Sequence, residues 1–150
     1  MAVRVQQDDF DVAAEVARLT AGRTDIGAIV TFTGRVRSGE GARQITGMTL
    51  EHYPGMTEDE LARIEAEARE RWALQACLIV HRVGELKPGD NIVLVVTASA
   101  HRREAFDAAG FLMDYLKTRA PFWKKETATT GESTWVEGRR NDESAKKRWS

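Results

Sequence analysis

Residues 77–97 read CLIVHRVGELKPGDNIVLVVT, and this stretch decides the predicted fold. The apolar runs at residues 77–83 and 91–97 are rich in Val and Ile, which favour extended backbone, and both are predicted to be strands. Between them, LKPGD at residues 86–90 is a strong turn signal. Parallel strands need a crossover of a dozen or more residues, and this connection is too short for one. The stretch therefore favours antiparallel pairing.

Two further strands are predicted upstream. Residues 26–36, IGAIVTFTGRV, are rich in β-branched and apolar side chains, and residues 44–53 have similar character. Residues 38–42, SGEGA, separate them and are predicted to form a flexible loop. The short separation suggests that the two strands form a hairpin.

Helical spacing predicts three helices. A short one, capped by Asp8 or Asp9, carries apolar residues at positions 12, 16 and 19. A second opens with a capping box at Thr57 and Glu60. Its apolar stripe consists of Leu61, Ile64, Ala68 and Trp72.

The third helix is predicted to start after a cap at Ser99 and to end near Arg119. Pro121 sets this end because it disfavours helical geometry at the residue before it. The apolar stripe of the helix consists of Ala105, Ala109, Leu112, Met113 and Leu116.

The elements end with two short strands, at residues 122–128 and 134–137, and a polar, basic tail. The whole pattern, ββαββα with short C-terminal strands, indicates an α+β fold with a largely antiparallel sheet and two main helices. No repeat or long linker divides the chain, so residues 1–150 are predicted to form a single domain, with a flexible tail at about residues 138–150.

Composition narrows the class of function. The 150 residues include 22 Lys and Arg against 23 Asp and Glu, a formal net charge of -1, so general nucleic-acid binding is not expected. The longest apolar runs are far short of the roughly 20 residues that span a bilayer. With no signal peptide apparent and Cys77 as the single cysteine, we expect a cytoplasmic protein with a buried structural thiol.

Metal and nucleotide sites have no support in the sequence. His52, His81 and His101 are isolated from one another and from Cys77, and no metal-ligand spacing is present. No phosphate-binding glycine motif follows a strand. We expect no metal and no cofactor.

The start of the third helix carries charges of the unfavourable sign. His101, Arg102 and Arg103 lie in its first turn, where the helix dipole favours anions. One explanation is that these side chains and the free backbone N–H groups hold an anionic ligand. The alternative is that Glu104 and Asp107 neutralise them on a solvated face.

Lysines gather at the other end of the same helix. Lys117 suits a helix C-terminus and has a good structural explanation there. Lys124 and Lys125 are harder to explain, because strand alternation directs one of them toward the interior or a cleft. A lysine among other cations has its charged form disfavoured, which makes it a better base or nucleophile.

Arg35 and Arg37 form a third cationic group, two residues apart and so on one strand face, suited to phosphate or carboxylate. Two solvated arginines beside a loop are an equal alternative. The residues alone thus indicate an anion-binding α+β domain with a lysine-based site. A non-catalytic anion- or nucleotide-binding module and a lysine enzyme that forms a Schiff base remain alternatives.

Five segments carry a family resemblance, in order along the chain: FTGRVR, LEHYPGMTE, HRVGELKPGD, SAHR and MDYLKTRAPFWKKE. They resemble the large subunit of molybdopterin synthase, the MoaE family, over most of residues 27–149. The sequence departs from the family pattern mainly at residues 38–44 and in the N-terminal helix. The resemblance implies an α+β fold with a hammerhead-like β arrangement.

The resemblance also implies an activity and partners. The activity is a sulfurtransferase reaction that converts cyclic pyranopterin monophosphate (precursor Z) to molybdopterin. Two sulfurs come from the thiocarboxylated Gly-Gly tail of a small ubiquitin-like subunit. The implied assembly is a large-subunit homodimer with a small subunit at each end, a heterotetramer.

Residue by residue, the resemblance identifies Lys117 and Lys124 as catalytic. It implies contacts with the pterin phosphate substrate for these two lysines and for Arg35, Val36, Arg37, His101, Arg102, Lys125 and Glu126. These positions include members of all three cationic groups.

Overall fold

The computed structural model of the protein describes residues 3–40, 43–136 and 147–149. Helices and strands alternate in an α+β arrangement, as predicted, and most of the strand pairs are antiparallel. The elements are β1 (Val3–Gln6), α1 (Val12–Thr20), β2 (Ala28–Arg35), β3 (Gly39–Glu40), β4 (Arg43–His52), α2 (Met56–Arg71), β5 (Ala76–Arg82), β6 (Gly84–Leu86), β7 (Asn91–Ser99), α3 (Arg102–Arg119), β8 (Phe122–Ala128), β9 (Ser133–Val136) and a 3-10 turn (Lys147–Trp149).

The first sheet is built around the pair predicted from residues 77–97. Strands β5 and β7 are antiparallel, with Ile79 opposite Val95. β2 joins the other side of β7, and β1, which the sequence analysis did not predict, lies parallel to β5. The order is β1-β5-β7-β2, so β2 is an edge strand.

The predicted hairpin between residues 26–36 and 44–53 is wrong. β2 pairs with β7, whereas β4 belongs to a second sheet of order β3-β4-β8-β9, with β6 also on β4. The physical reason is burial: Met48 and Leu50 of β4 pack with Leu86 in a separate apolar cluster. The predicted loop at residues 38–42 contains β3, which pairs with β4, and its residues 41–42 lie outside the described part.

The starts of the first two helices differ from the predictions. Asp11, and not Asp8 or Asp9, caps α1 by accepting a hydrogen bond from the backbone N–H of residue 14. α2 begins two residues earlier than predicted, with Gly55 and not Thr57 as its cap residue, and Glu58 accepts a hydrogen bond from the backbone N–H of Gly55 at 3.0 Å. Thr57 is instead buried inside the helix, where its hydroxyl donates to the Pro121 carbonyl.

α3 ends at Arg119, as Pro121 predicted, but Ser99 does not cap it. Ser99 is the last residue of β7, and its hydroxyl donates to the carbonyl of His101, the actual cap residue. The predicted stripe is buried except Met113, which is half-buried. The stripe omitted Phe111, which is fully buried.

α2 and α3 cover one face of the first sheet and form the main core with Ile79 and Val95, while the residues of α1 pack on the opposite face with Leu78 and Val80. Cys77 lies in the main core. Burial is the largest cause that raises the pKa of its thiol to about 12, in keeping with the predicted structural thiol.

The C-terminal strands appear close to where they were predicted. Position 137, at the end of the predicted second strand, lies outside the described residues, as do residues 138–146 and 150 of the predicted flexible tail. Trp149 is described and packs edge-to-face on Trp72 and Phe111. Within the described residues no helix has the length and apolar character needed to cross a bilayer.

Candidate active site

Lys117 lies at the end of α3, a few residues before β8 of the second sheet begins. Lys117 is exposed in the last turn of α3. Arg119, two residues later, links α3 to α2. Its guanidinium donates to the carboxylates of Glu60 and Glu67 on α2 at 2.6 and 3.0 Å. The two cations at this helix end therefore have different surroundings, and Lys117 faces the solvent side.

Strand alternation separates the other two lysines, as the sequence predicted. Lys124 is half-buried and pairs with Leu50, so it lies on the inner face of the second sheet. Glu126, two residues on, shares that face and is also half-buried. Lys125 lies on the outer face, with its Nζ 5.5 Å from the ring centroid of Trp135.

A row of rings connects the two sheets near the lysines. Phe122, at the start of β8, pairs with His52 of β4 and stacks on His81 of β5, with 3.7 Å between the centroids. The Nδ1 of His81 lies 2.8 Å from the carbonyl of Arg82, and since a carbonyl only accepts, Nδ1 carries the proton. The Nε2 of this buried imidazole therefore carries the lone pair.

The environment of His81 keeps it neutral. Burial is the main cause that lowers its pKa from 6.5 to about 3. The hydrogen bond to Arg82 opposes this shift, and the nearby Lys117 and His52 add to it. Because Lys117 affects the pKa of His81, the end of α3 lies near β5. Phe122 brings the start of β8 to the same place through its stack on His81.

The group at residues 35–37 is held by the turn before β7. The Nε and Nη2 of Arg35 both donate to the Gly89 carbonyl, at 3.1 and 2.6 Å. Val36 is buried, and its backbone N–H and carbonyl pair with Asp90 and Gly89. Since those backbone groups are engaged, Val36 serves to fix its neighbours, and the exposed Arg37 is the member best placed to meet a ligand.

The group at the start of α3 is exposed and lacks the neutralising partners considered in the sequence analysis. Among the described residues, no ion pair joins Arg102 or Arg103 to Glu104 or Asp107, and the Oε2 of Glu104 is buried without a hydrogen-bond partner. His101 makes no side-chain cap bond. This arrangement favours the interpretation of an anion site over that of a neutralised face.

The three cationic groups do not all converge within one chain. α3 returns antiparallel to β7, so Lys117 lies at the sheet end where Asn91 pairs with Arg35, and His101 lies at the opposite end. At 1.5 Å rise per residue, about 22 Å of helix separates Arg102 from Lys117. Within one chain, Arg35 and Arg37 therefore lie at the same sheet end as Lys117, whereas His101 and Arg102 lie at the opposite end.

No metal site is evident in the described part of the chain, where no group of three or more His, Cys, Asp or Glu side chains is arranged to hold an ion.

Comparison with known proteins assigns the family. The model of the family described as MoaE protein matches residues 5–119. The chain belongs to the MoaE family. The molybdopterin synthase catalytic subunit of Mesorhizobium japonicum is 60% identical over 148 residues, which cover 98% of this chain and 92% of that protein.

Solved MoaE structures share the fold. The MoaE protein from Burkholderia ambifaria is 50% identical, with a TM-score of 0.83 over 100% of this chain and 99% of that one. A complex of subunits 1 and 2 of molybdopterin-converting factor from Helicobacter pylori has a TM-score of 0.76, covering 93% and 92% of the two chains. At 18% identity, the latter likeness concerns the fold alone.

In this MoaE chain, the contact of His81 with Phe122 was not predicted from the sequence. The histidines are isolated from one another in the sequence, and no spacing rule relates His81 to Phe122, about forty positions away. A usable signal was present: a histidine inside an otherwise apolar strand must find polar and ring partners when it is buried.

Proposed function

We propose that this MoaE chain is the catalytic subunit of a molybdopterin synthase and acts as a sulfurtransferase on precursor Z. The observation that carries the proposal is an exposed Lys117 in the last turn of α3, followed seven residues later by an inward, half-buried Lys124 of β8, in a chain 60% identical to a molybdopterin synthase catalytic subunit. The sulfur donor would be the thiocarboxylated tail of a small ubiquitin-like subunit. The name of the Helicobacter pylori complex, which has two different subunits, supports a second subunit.

Each sulfur transfer requires that negative charge is stabilised near Lys117 and Lys124. The thiocarboxylate sulfur would attack a substrate carbon that bears oxygen, so that a C–S bond forms while the C–O bond at that carbon breaks and its oxygen leaves as water or on the phosphate. The carrier would then be joined to the substrate as a thioester. Water would cleave the bond between the carbonyl carbon and sulfur, and the carrier tail would leave as a carboxylate. Lys117 would orient the incoming thiocarboxylate and transfer protons, and Lys124 would stabilise negative charge on the intermediate.

The remaining cations suit the substrate phosphate, but this requires a second copy of the chain. His101 and Arg102 are too far from Lys117 to share one small substrate within a chain. The outer edge of β2 has no strand partner within the described residues, and β2 exposes Ile29 and Phe32, which offers a solution. Two β2 edges that pair antiparallel about a twofold axis would bring the partner's end of α3 beside Arg37 and the lysines. The proposed homodimer would therefore complete each site.

Product formation tests the proposal directly. The protein would be incubated with precursor Z and the thiocarboxylated small subunit, and molybdopterin would be quantified. We expect Lys117→Ala to lower the rate by about 100-fold or more, the scale for losing a proton-transfer or charge-stabilising group. The exposed Lys147, changed to Ala, is the matched control and should leave the rate within about 2-fold. An unchanged rate in Lys117→Ala would overturn the assignment of that lysine.

A further inference from the structure

A histidine outside the residues discussed so far lies beside Lys124 on the inner face of the second sheet. His52 is the last residue of β4 and pairs with Phe122 of β8, while Leu50 pairs with Lys124 two positions along. Residues directly opposite each other in an antiparallel pair point to the same face, and diagonal neighbours are about 7–8 Å apart, within reach of long side chains. His52 and Lys124 are therefore diagonal neighbours on one face.

A carboxylate of fixed position faces this histidine. The Oε1 of Glu58 accepts a hydrogen bond from the backbone N–H of Gly55 at 3.0 Å, and its Oε2 lies 4.0 Å from the Nε2 of His52. The side chain of His52 is 19% exposed, so the imidazole is shielded on most sides but still reached by solvent. A carboxylate held in this way orients an imidazole and favours its protonated form.

The fold fixes this corner through a buried threonine. The backbone N–H of Tyr53 donates to the Thr57 hydroxyl at 3.0 Å, and that hydroxyl donates to the Pro121 carbonyl at 3.1 Å. Thr57 thus joins the end of β4, the start of α2 and the residue before β8. Because His52 precedes Tyr53 and Phe122 follows Pro121, the position of the imidazole relative to β8 is set by these bonds.

The charged and titratable side chains around His52 come from four other elements. They are Glu58 from α2, His81 from β5, Lys117 from α3 and Lys124 from β8. His52 and Lys117 both help to lower the pKa of His81, so both lie near that ring. His81 is only 3% exposed, and of these two imidazoles His52 is the one that a water molecule or a substrate can reach.

The cleavage of the thioester in the proposed reaction needs a base. Water that attacks the thioester carbonyl carbon must lose a proton as its oxygen bonds to that carbon. A charged lysine carries three donor hydrogens and no lone pair, so it stabilises negative charge but cannot accept this proton. A neutral imidazole accepts it at a ring nitrogen, and imidazole exchanges protons readily near neutral pH.

We propose that His52, oriented by Glu58, is the general base that takes a proton from the attacking water when the carrier–substrate thioester is cleaved. The water oxygen bonds to the carbonyl carbon, and the bond between that carbon and sulfur breaks. Sulfur keeps the electron pair and stays on the substrate as a thiolate. One water proton passes through His52 to solvent, and the other leaves the new carboxyl group of the carrier. This inference rests on the proposed function and adds a catalytic residue to it.

The pH dependence of a single turnover tests the assignment. Molybdopterin formation from precursor Z and saturating thiocarboxylated carrier would be followed between pH 6 and 9. We expect the wild-type rate to rise with pH to a plateau, because the base acts in its neutral form. His52→Gln keeps a polar side chain but cannot accept the proton, so it should lower the plateau about 100-fold and abolish the rise.

The carboxylate partner gives a second, opposite signature. Glu58→Gln removes the negative charge that favours the protonated imidazole, so the rise in rate should move to lower pH. Glu70→Gln is the matched control, since Glu70 is exposed near the other end of the same helix. It should leave the rate within about 2-fold and the pH profile in place.

Chemical rescue distinguishes a base from a structural side chain. Imidazole added to His52→Ala should restore the rate about 10-fold or more, because it can occupy the space that the side chain leaves and accept the proton. The same imidazole should not change the rate of the wild type. Binding of the carboxylate form of the carrier, measured by titration calorimetry, would show that each variant is folded.

The outcomes separate the two proposals. A wild-type plateau and pH profile in His52→Gln would overturn the assignment of the base and leave the proposed function standing. A lower rate with the rise retained and no rescue by imidazole would also overturn it, because His52 would then act only through the structure. If the wild type forms no molybdopterin from precursor Z and the thiocarboxylated carrier, the proposed function itself is contradicted.

Discussion

The ring of Phe122 stacks on the imidazole of His81, with 3.7 Å between their centroids and 17° between their planes. This contact joins β8, which carries Lys124, to β5 of the first sheet. It also places a neutral ring in reach of the charge of Lys117. The contact therefore ties the strand that carries Lys124 to the sheet on which α3, the helix of Lys117, packs.

His81→Phe should make stability less sensitive to acid. The folded-state pKa of His81 is lowered to about 3, so between pH 6.5 and 3 the unfolded chain binds a proton that the folded chain does not. Stability is therefore complete above pH 6.5 and is lost as the pH falls. By proton linkage, the loss from this residue is about 2 kcal/mol between pH 7 and 5.

Urea unfolding at pH 7 and pH 5 measures this effect. The phenylalanine variant keeps the stacked ring and removes the titrating group, so its stability should change less between the two pH values than that of the wild type. His52→Phe, at a half-buried histidine, is the control and should keep the dependence due to His81. The same pH dependence in the wild type and His81→Phe would contradict the assignment.

Trp149→Ala should destabilise the protein by about 1–3 kcal/mol, less than for a fully buried aromatic residue because Trp149 is half-buried. The variant loses the edge-to-face contacts with Trp72 and Phe111 and the hydrogen bond from the indole Nε1 to Asp114. Thermal unfolding would measure the change. Lys147→Ala, in the same 3-10 turn, should stay within about 0.5 kcal/mol, and an equal loss in both variants would argue against a specific role for the indole.

Local patterns predicted the elements well, and long-range pairing less well. The strands at residues 77–83 and 91–97 and the end of α3 before Pro121 follow from propensity and turn chemistry. The hairpin between residues 26–36 and 44–53 was wrong, because β7 takes the edge that β4 was expected to fill. Sequence neighbours do not reveal which of two apolar strands offers the better buried face.

In the candidate site, too, local features were predicted correctly and long-range contacts were not. Alternation along β8 correctly predicted that one of Lys124 and Lys125 points inward, since that rule needs only one strand. The stack of His81 on Phe122 escaped prediction, because it depends on how two sheets meet. The roles of the lysines, Arg37, His101 and Arg102 in substrate binding stay predictions.

Gly27→Ala should destabilise the start of β2. A Cβ at this position would lie 2.2 Å from the backbone oxygen of Ala100, and backbone cannot move aside as a flexible side chain can. The strain should cost about 1–3 kcal/mol. Gly47→Ala is the matched control, since its Cβ would meet the Leu86 carbonyl oxygen at 3.4 Å, and it should change stability by less than about 1 kcal/mol. Chemical denaturation of both variants compares them, and equal stability would contradict the close approach of Gly27 to Ala100.

Mixed dimers should recover activity from two inactive variants. Lys117→Ala removes the lysine end of a site, and Arg102→Ala removes the cation that a second copy would supply. If each site combines Lys117 of one chain with Arg102 of the other, every mixed dimer contains one site with both groups intact and one site with neither.

Random mixing makes half of the dimers mixed, so the mixture should reach about a quarter of the wild-type rate of molybdopterin formation. The two variants would be unfolded together, refolded and assayed beside each variant refolded alone. If Lys117 and Arg102 of the same chain served one site, every site in the mixture would lack one group, and no recovery would occur. Recovery near a quarter would support the antiparallel pairing of β2 edges, because that pairing brings the two ends of α3 from different chains to one site.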